Sequence, residues 1–337
     1  MGRELLKISK DSGIPLVGHV AFGLIDRGTN LIQVRPTSLC PLSCIFCSTD
    51  AGPKSLRRIS EYLVEPDYLL TWFKWVINRK GLSEVLVHID SVGDPFTYPY
   101  LTELVRKLRE IGKVTTISLE THGFLLTERI IEELEEAGLT RINLSIDAVD
   151  AELAKFLSGS RAYDVNRVIR LARYIVENTS MDLMITPVWV PGLNDREIPK
   201  IIELALKIGA GKKAPPLGIQ KYEAHKYGRK PKGVKPMKWY DFYKSLKLWE
   251  AEYGVKLILS PKDFGIHRAR PLPKVFSLYE VTRVRIAGPG WLRGEWLGVA
   301  RGRSVAIVGV NNKPPIGREI KVKVLRVKDN IYVARVI

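Results

Sequence analysis

The chain has 337 residues, 45% of them hydrophobic, a length that suits one large domain and a small one. It contains no apolar run of about 18 residues and no apolar signal-peptide core, so we expect no membrane span and a cytoplasmic location. Its 53 Lys and Arg against 36 Asp and Glu give a net charge of +17, which favours polyanionic partners, nucleic acid first.

Strand and helix patterns alternate along most of the chain. Residues 1–30 are a lead-in whose turn at 26–30 predicts a small hairpin before the first core strand. Strands are predicted at 31–34, 84–89, 114–119, 141–146, 182–190 and 217–222, and helices at 68–78, 100–111, 128–137, 165–176, 197–208 and 238–253. Six such units predict an α/β fold, a partial (β/α)6 TIM-like barrel with its chemistry at the C-terminal strand ends.

The loop after the first core strand holds every cysteine of the chain. Cys40, Cys44 and Cys47 are spaced C-x3-C-x2-C. Three closely spaced thiolates suit a [4Fe–4S] cluster, which normally takes four cysteines. Because no fourth cysteine exists, one iron would keep an open coordination position for a small ligand. The spacing therefore predicts a cluster that takes part in catalysis.

Other uses of the three thiols are weaker. A disulfide leaves one thiol over, and a structural zinc needs a fourth ligand that no nearby His supplies. Buried, inert thiols stay open as an alternative, since cysteine is often buried.

The cysteine motif, with Phe46 just before its last member, resembles the signature of the radical S-adenosylmethionine (SAM) superfamily. The resemblance implies that the open iron chelates the amino and carboxylate groups of SAM. It also implies that an electron donor drives cleavage of SAM to a 5′-deoxyadenosyl radical, which abstracts hydrogen from a substrate. In such enzymes Phe46 would lie near the adenine, although an aromatic packed in the core is an alternative.

Polar residues follow the second and third strands. Gly93 lets backbone approach a ligand closely, and Asp94 is able to accept a hydrogen bond from an ammonium group. The pair resembles the superfamily's glycine-rich acidic motif for the amino group of SAM, with Val92 in place of the first glycine and Asp in place of Glu. Glu120 lies in a segment that resembles the family's third strand, and His122 is either a proton carrier or a structural loop residue.

Two later strand ends complete the expected SAM site. Alternation along the fourth strand places Ser145 and Asp147 on one face, where the family has polar residues that face SAM or substrate. After the fifth strand, Pro191 and Asn194 belong to a turn that resembles the family's late Pro-Gly-x-Asn turn near the adenine. A plain loop is the alternative for this turn.

Two loops that we expect at the mouth of the barrel are rich in cations. Such loops would attract a phosphate-rich substrate, while a solvated charged surface is the alternative. The candidate RNA-binding residues are Lys54, Arg57 and Arg58 after the cysteines, and Lys226, Arg229, Lys230 and Lys232 after the sixth strand.

Beyond the Pro-Leu-Pro boundary at 271–273 the pattern changes to about five short strands, which predict a small antiparallel β-barrel. Its last segment resembles a TRAM domain, an RNA-binding barrel of tRNA-modifying enzymes. The alternation predicts a basic face with Lys321 and Lys323, and we expect Tyr332 to stack on a base. A structural role for the barrel is the alternative.

The predicted domains are an N-terminal extension (1–30), a radical SAM core (31–270) and a TRAM-like barrel (278–337). The leading hypothesis is a radical SAM enzyme with a [4Fe–4S] cluster and SAM as cofactors, acting on RNA, with a tRNA nucleoside as the expected target. A second hypothesis is a radical SAM enzyme for a small phosphorylated molecule or cofactor precursor. A third is a non-catalytic RNA-binding protein with a redox-sensing cluster.

Overall fold

The computed structural model describes residues 3–337, which form strands and helices in the following order. The strands are β1 (Glu4–Ile8), β2 (Gly23–Asp26), β3 (Leu31–Arg35), β4 (Ser60–Val64), β5 (Val85–Ile89), β6 (Val114–Thr121), β7 (Arg141–Leu144), β8 (Asp182–Ile185), β9 (Val188–Trp189), β10 (Gln220–Lys221), β11 (Val281–Pro289), β12 (Glu295–Ala300), β13 (Arg303–Val308), β14 (Glu319–Arg326) and β15 (Val333–Val336). The helices are α1 (Pro66–Lys80), α2 (Leu101–Arg109), α3 (Glu128–Glu136), α4 (Ala151–Ser158), α5 (Val165–Asn178), α6 (Glu197–Lys207) and α7 (Trp239–Tyr253).

The central sheet has six strands in the order β2-β3-β5-β6-β7-β8. Strand β3 is parallel to β5, and β6, β7 and β8 are parallel to one another. Strand β2, from the lead-in, is antiparallel to β3 and forms the expected hairpin with it. The strands alternate with helices as the sequence predicts, so the α/β fold class with a partial TIM-like barrel is confirmed.

The later predicted strands are shorter than expected. The segment 182–190 is divided into β8 and β9 at Pro187, which has no N–H to donate to a ladder. The sixth predicted strand is reduced to β10, which pairs with β9 in a separate parallel sheet. Three elements had not been predicted, namely α4 and the strands β1 and β4, which are parallel to each other.

Three helices, α3, α4 and α5, begin at a side chain that caps them. Thr127 accepts a hydrogen bond from the backbone of Ile130 at the start of α3, and Asp164 accepts one from Arg167 at the start of α5. Asp150 caps α4 in the same way. Within residues 3–337, no helix combines the length and the apolar character that crossing a membrane requires.

The C-terminal strands close into a five-stranded barrel in the order β11-β12-β13-β15-β14. Four of its strand pairs are antiparallel, and the pair β13–β15 is parallel. Tyr332 lies in the core of this barrel, fully buried, and its hydroxyl donates to Asn330 Oδ1 at 2.6 Å. The expectation that Tyr332 stacks on a base is therefore wrong, because its ring has no exposed surface.

The chain divides into two compact units, each assembled from separate stretches. One unit comprises residues 1–39, 55–115 and 267–337, and the other comprises 40–54 and 116–266. The barrel belongs to the first unit, where it bonds to the N-terminal lead-in. Ser304 N–H donates to the carbonyl oxygen of Val17 at 2.9 Å, and Tyr332 N–H donates to that of Gly18 at 2.9 Å.

Candidate metal centre and cofactor-binding residues

The cysteine loop follows β3 and lies in the second unit. Cys44 is buried, Cys40 and Cys47 are half-buried, and none of the three forms a disulfide. The sulfur of Cys47 accepts a hydrogen bond from Ala51 N–H at 3.3 Å and lies 3.4 Å from Thr49 Oγ1. Such hydrogen bonds to sulfur tune the potential of an iron–sulfur cluster.

The end of α4 holds the backbone of this loop. Ser43 N–H donates to the carbonyl oxygen of Ser158 at 3.0 Å, and Ile45 N–H donates to that of Leu157 at 2.9 Å. Gly159 has a φ of +64°, and a Cβ at this position would lie 2.2 Å from the Ser43 carbonyl oxygen. Only glycine therefore allows the two backbones to approach this closely.

The structure contradicts the prediction that Arg229 binds RNA. Its Nε donates to the carbonyl oxygen of Cys44 at 2.7 Å, Nη1 donates to Asp50 Oδ1 at 3.1 Å, and Nη2 donates to the carbonyl oxygen of Ala51. Its backbone N–H also donates to the carbonyl oxygen of Cys47 at 2.8 Å. The guanidinium is thus committed to the cysteine loop rather than to a nucleic acid.

Nothing in the sequence distinguishes Arg229 from its basic neighbours, because the signal is a set of contacts about 180 residues away along the chain. The neighbouring Lys226, Lys230 and Lys232 are exposed, so they stay candidates for binding a polyanion.

His122 and Asp147 meet beside Cys44. His122 Nε2 lies 3.8 Å from Cys44 Sγ, and its Nδ1 lies 3.7 Å from Asp147 Oδ2. Asp147 is buried, and Val188 N–H donates to its Oδ1 at 2.8 Å. Burial raises the pKa of Asp147, while His122 and the Val188 N–H oppose the rise. The sequence predicted His122 to be either a proton carrier or a structural loop residue.

Two more of the expected cofactor residues have defined partners in this unit. Ser145 Oγ lies 3.2 Å from Thr186 Oγ1, and Glu120 accepts a hydrogen bond from Gln220 at 3.1 Å. Ser145 directly follows β7, as expected, whereas Glu120 lies within β6, which extends to Thr121.

Asn194 is buried, and its amide is used by its own turn. It donates to the carbonyl oxygens of Asp147 at 2.8 Å and Val188 at 2.9 Å, and accepts from Val190 N–H at 2.7 Å. Its side chain therefore supports Asp147, and only the backbone of this turn, with the half-buried Pro191, remains for a cofactor. Phe46 is buried at 7% exposure.

Burial and electrostatic interactions among the three cysteines raise the pKa of Cys44. Burial raises the pKa of Cys44 well above its usual value, Cys40, Cys47 and Asp147 add to the rise, and Arg229 opposes it. Three thiolates here need positive charge nearby, which the iron of a cluster supplies when bound.

The donor set fits a cubane better than a single ion. Within residues 3–337, no three Cys, His, Asp or Glu side chains converge closely enough to hold one metal ion. A zinc site requires such convergence, whereas each cysteine of a cubane binds a different iron. A set of three free cysteines is therefore consistent with a cluster.

Gly93 and Asp94 belong to the first unit, in the loop after β5. A Cβ on Gly93 would lie 1.9 Å from the carbonyl oxygen of Leu39, and Asp94 N–H donates to the same oxygen at 2.8 Å. The side chain of Asp94 is buried and accepts from Phe96 N–H at 3.0 Å. Glycine is thus required here for contact with the residue that precedes Cys40, and not for contact with a ligand alone.

The predicted basic residues after the cysteines differ in exposure. Arg57 is exposed, and the exposed Lys54 donates to the carbonyl oxygen of Gly159 at 2.6 Å. Arg58 is buried and donates to the carbonyl oxygens of Ser38 and Val92. The prediction that Arg58 binds RNA is therefore wrong, since its guanidinium is enclosed by protein.

A partial β/α barrel with three free cysteines on the loop after its first parallel strand is the architecture of a SAM-cleaving iron–sulfur enzyme. The sequence model of the radical SAM superfamily matches residues 34–205, half of the chain. The chain belongs to the radical SAM superfamily, which uses a [4Fe–4S] cluster and SAM.

Two relatives show how far the similarity extends. An uncharacterized protein of Methanocaldococcus jannaschii is 43% identical over 343 residues, which cover 96% of this chain and 79% of the relative. A GTP 3′,8-cyclase of Chlorobaculum tepidum is 27% identical over 197 residues, covering 58% of this chain and 55% of the cyclase. The chain thus spans about half the length of the cyclase.

Solved structures support the fold alone. Native anSMEcpe with bound AdoMet aligns with a TM-score of 0.52 and 19% identity, covering 67% of this chain and 62% of that one. Streptococcus suis SuiB bound to the precursor peptide SuiA aligns with a TM-score of 0.50 and 17% identity, covering 74% and 49%.

Proposed function

We propose that this protein is a radical SAM enzyme that modifies RNA, with a tRNA nucleoside as the first target to test. Cys40, Cys44 and Cys47 hold the cluster, and Arg229 holds their loop. When bound, the cluster and SAM supply a 5′-deoxyadenosyl radical for hydrogen abstraction, and the proposal includes a one-electron donor as a partner.

The observation that carries the RNA proposal is a basic face on the C-terminal barrel, formed by Arg283, Lys321, Lys323 and Arg335. All four side chains are exposed. Arg283 lies directly opposite Lys321 in the β11–β14 pair, and Lys323 lies opposite Arg335 in the β14–β15 pair. Like charges directly opposite one another destabilise a sheet. In the described part of the chain, no ion pair involves any of the four, so a bound polyanion is the natural counter-charge.

An exposed aromatic residue borders this basic face. The ring of Tyr279 is 62% exposed, and Lys323 Nζ lies 5.4 Å from its centroid. Tyr279 has a φ of +66°, an unfavourable backbone conformation for a residue with a bulky side chain. Its backbone N–H donates to the carbonyl oxygen of Val324 at 2.8 Å, which holds the residue in place. A ring beside cations is suited to stack on a base. Tyr279 thus takes the role expected of Tyr332.

Exposed lysines near the cysteine loop give further support. One loop contains the exposed Lys226, Lys230 and Lys232. Arg229 joins this loop to the cysteine loop, because its backbone N–H donates to the carbonyl oxygen of Cys47. A Cβ on Gly228 would lie 2.8 Å from the Cys47 carbonyl oxygen, so the two loops pack closely. Lysines in this position are placed to attract phosphates toward the cluster loop.

The proposal is tested with the anaerobically reconstituted holoenzyme, dithionite as the electron donor and bulk tRNA. We expect 5′-deoxyadenosine to form faster with tRNA than without it, and mass spectrometry of the digested tRNA to show a new or altered nucleoside. The variant with alanine at Cys40, Cys44 and Cys47 is the control and should give neither product. SAM cleavage that is indifferent to every RNA tested would refute the RNA substrate.

A second candidate is a radical SAM enzyme for a small phosphorylated molecule or cofactor precursor. It is favoured by the similarity to the GTP 3′,8-cyclase over 58% of this chain. The same assay discriminates, because GTP in place of tRNA would then stimulate 5′-deoxyadenosine formation. The third expectation, a non-catalytic RNA-binding protein, corresponds to RNA binding without any SAM cleavage.

A further inference from the structure

We propose that Arg58 is a positioning residue through which the C-terminal barrel sets the SAM affinity of the enzyme. Its place in the first unit suggests this role, because it connects three segments. They are the entry segment (36–39) that precedes Cys40, the Gly93 loop (90–94), and the barrel turn (290–293) between β11 and β12.

Arg58 joins the entry segment to the Gly93 loop. Nη1 donates to the carbonyl oxygen of Ser38 at 2.7 Å, and Nη2 donates to that of Val92. The side chain has no exposed surface, and Glu61 Oε2 lies 3.1 Å from Nη1 as its counter-charge. Removing one member of a buried ion pair leaves the charge of the other member uncompensated and its hydrogen-bond partners unsatisfied. Loss of the guanidinium is therefore expected to release both loops.

The same carboxylate ties further groups into this cluster. Glu61 Oε2 accepts from Ser38 Oγ, and its Oε1 accepts from Arg3 at 2.7 Å. Ser38 Oγ also accepts from the backbone N–H of Tyr62 at 2.8 Å, so β4 is bonded to the entry segment. The entry segment is thus held by several hydrogen bonds that depend on one buried ion pair.

The barrel turn covers the other side of Arg58. The guanidinium carbon lies 4.7 Å from the centroid of the Trp291 ring, which is buried. Ile59 N–H donates to the carbonyl oxygen of Trp291 at 3.1 Å, and Arg293 N–H donates to that of Arg57 at 2.7 Å. The barrel turn is therefore held against residues 57–59 by these two hydrogen bonds and forms an isolated antiparallel bridge, Arg58–Leu292, with them.

This arrangement assigns the barrel a second role that does not depend on RNA. The Gly93 loop is the expected partner of the amino group of SAM, and its backbone is packed on Leu39. Because Arg58 fixes both segments and Trp291 fixes Arg58, the barrel turn determines how well the Gly93 loop is preorganised. The inference rests on the assignment of this loop to SAM and on no assumption about the substrate.

The test measures the dissociation constant of SAM by equilibrium dialysis on the reconstituted holoenzyme, with iron content and melting temperature determined in parallel. We expect R58M and W291A each to raise this constant about tenfold while the three cysteines keep their iron. The aromatic ring retained in W291F should restore most of the affinity. In steady state, the KM for SAM should rise more than kcat falls.

Arg293→Gln is the matched control, since it removes an exposed arginine from the same barrel turn while keeping the backbone N–H that bonds to Arg57. It should bind SAM as the wild type does. Because R58M and W291A act through one contact, the double variant should be no weaker than the worse single variant.

Wild-type SAM affinity in folded R58M or W291A would overturn the proposal, as would additive effects in the double variant. If R58M does not fold, W291A decides alone, because it leaves the buried ion pair in place. RNA affinity is measured separately on the same variants. Lost RNA dependence with intact SAM binding would count against the proposed function and not against the role of Arg58.

Discussion

Arg229 shows how a residue of unremarkable sequence context becomes part of the metal centre. Its guanidinium and backbone N–H make hydrogen bonds to Cys44, Cys47, Asp50 and Ala51. A planar group with several fixed donors is required to satisfy these acceptors together, and the ammonium group of lysine is not equivalent.

We therefore expect R229K and R229M to weaken the cluster. In air, loss of the visible absorbance of the reconstituted cluster should be about tenfold faster in either variant than in the wild type. The exposed neighbour Lys230 is the control, and K230M should behave as the wild type. A cluster in R229M that is as durable as that of the wild type would show that Arg229 acts elsewhere.

The two tyrosines of the barrel are expected to have opposite mutational effects. Tyr332 is buried, and its hydroxyl donates to Asn330 and accepts from Val275 N–H, so Y332F should cost about 1–2 kcal/mol of unfolding free energy and leave RNA affinity unchanged. Tyr279 is exposed, so Y279A should weaken binding of single-stranded RNA about tenfold without loss of stability.

Urea unfolding and fluorescence anisotropy with labelled single-stranded RNA measure the two effects. A loss of RNA affinity in Y332F that exceeds the loss in Y279A would return the stacking role to the buried ring.

At the scale of elements, the first residue of β12, Glu295, is a titratable group. Burial raises the pKa of Glu295 to about 7 from an ordinary value of 4.5, against the opposing hydrogen bond from Leu292 N–H at 3.1 Å. The folded state therefore prefers the protonated acid. Its contribution to stability is fully present below pH 4.5 and is lost as the pH rises through about 7.

E295Q should abolish this pH dependence. We expect the variant to match the wild type at about pH 4 and to exceed its unfolding free energy by about 1–3 kcal/mol at about pH 8. Urea titrations at the two pH values measure the difference, with E319Q on the exposed face of β14 as the control. Equal gains at both pH values would argue against ionisation as the cause.

At the scale of the whole molecule, the net charge of +17 becomes informative only where the cations cluster. If the basic face binds phosphates, RNA affinity should fall steeply with salt. Removing two of its charges in R283Q/K323Q should lower the slope of log K against log salt by about 1.4. K207Q/K213Q removes two exposed charges elsewhere and should retain the wild-type slope. A slope unchanged in both double variants would exclude the basic face as an RNA contact.

Much of the architecture follows from local pattern. The spacing of the cysteines, the alternation of strand and helix, and the caps at Thr127 and Asp164 each depend on neighbours a few residues apart. The barrel is also visible in the alternation of Val322 and Val324 with the lysines of β14. Such features are determined by the chain itself, because the backbone geometry of a strand or helix repeats over two to four residues.

The phase of that alternation is lost where the backbone is irregular. The register of β14 and β15 shifts between Val324 and Arg326, and a 3-10 turn at 328–330 follows. Tyr332 is directed into the core, the side that counting in twos from Val324 gives, although Arg326 and Lys328 at intervening even positions are exposed.

The sequence by itself determined the family, the cofactors and the fold class, because their signatures are short and contiguous. Only the tertiary structure decided which cations are available to a partner. Arg58 and Arg229 are enclosed by carbonyl oxygens and carboxylates from distant segments, while Lys321 and Lys323 remain in solvent. Charge is a property of the residue, whereas its burial and pairing depend on segments that meet only when the chain folds.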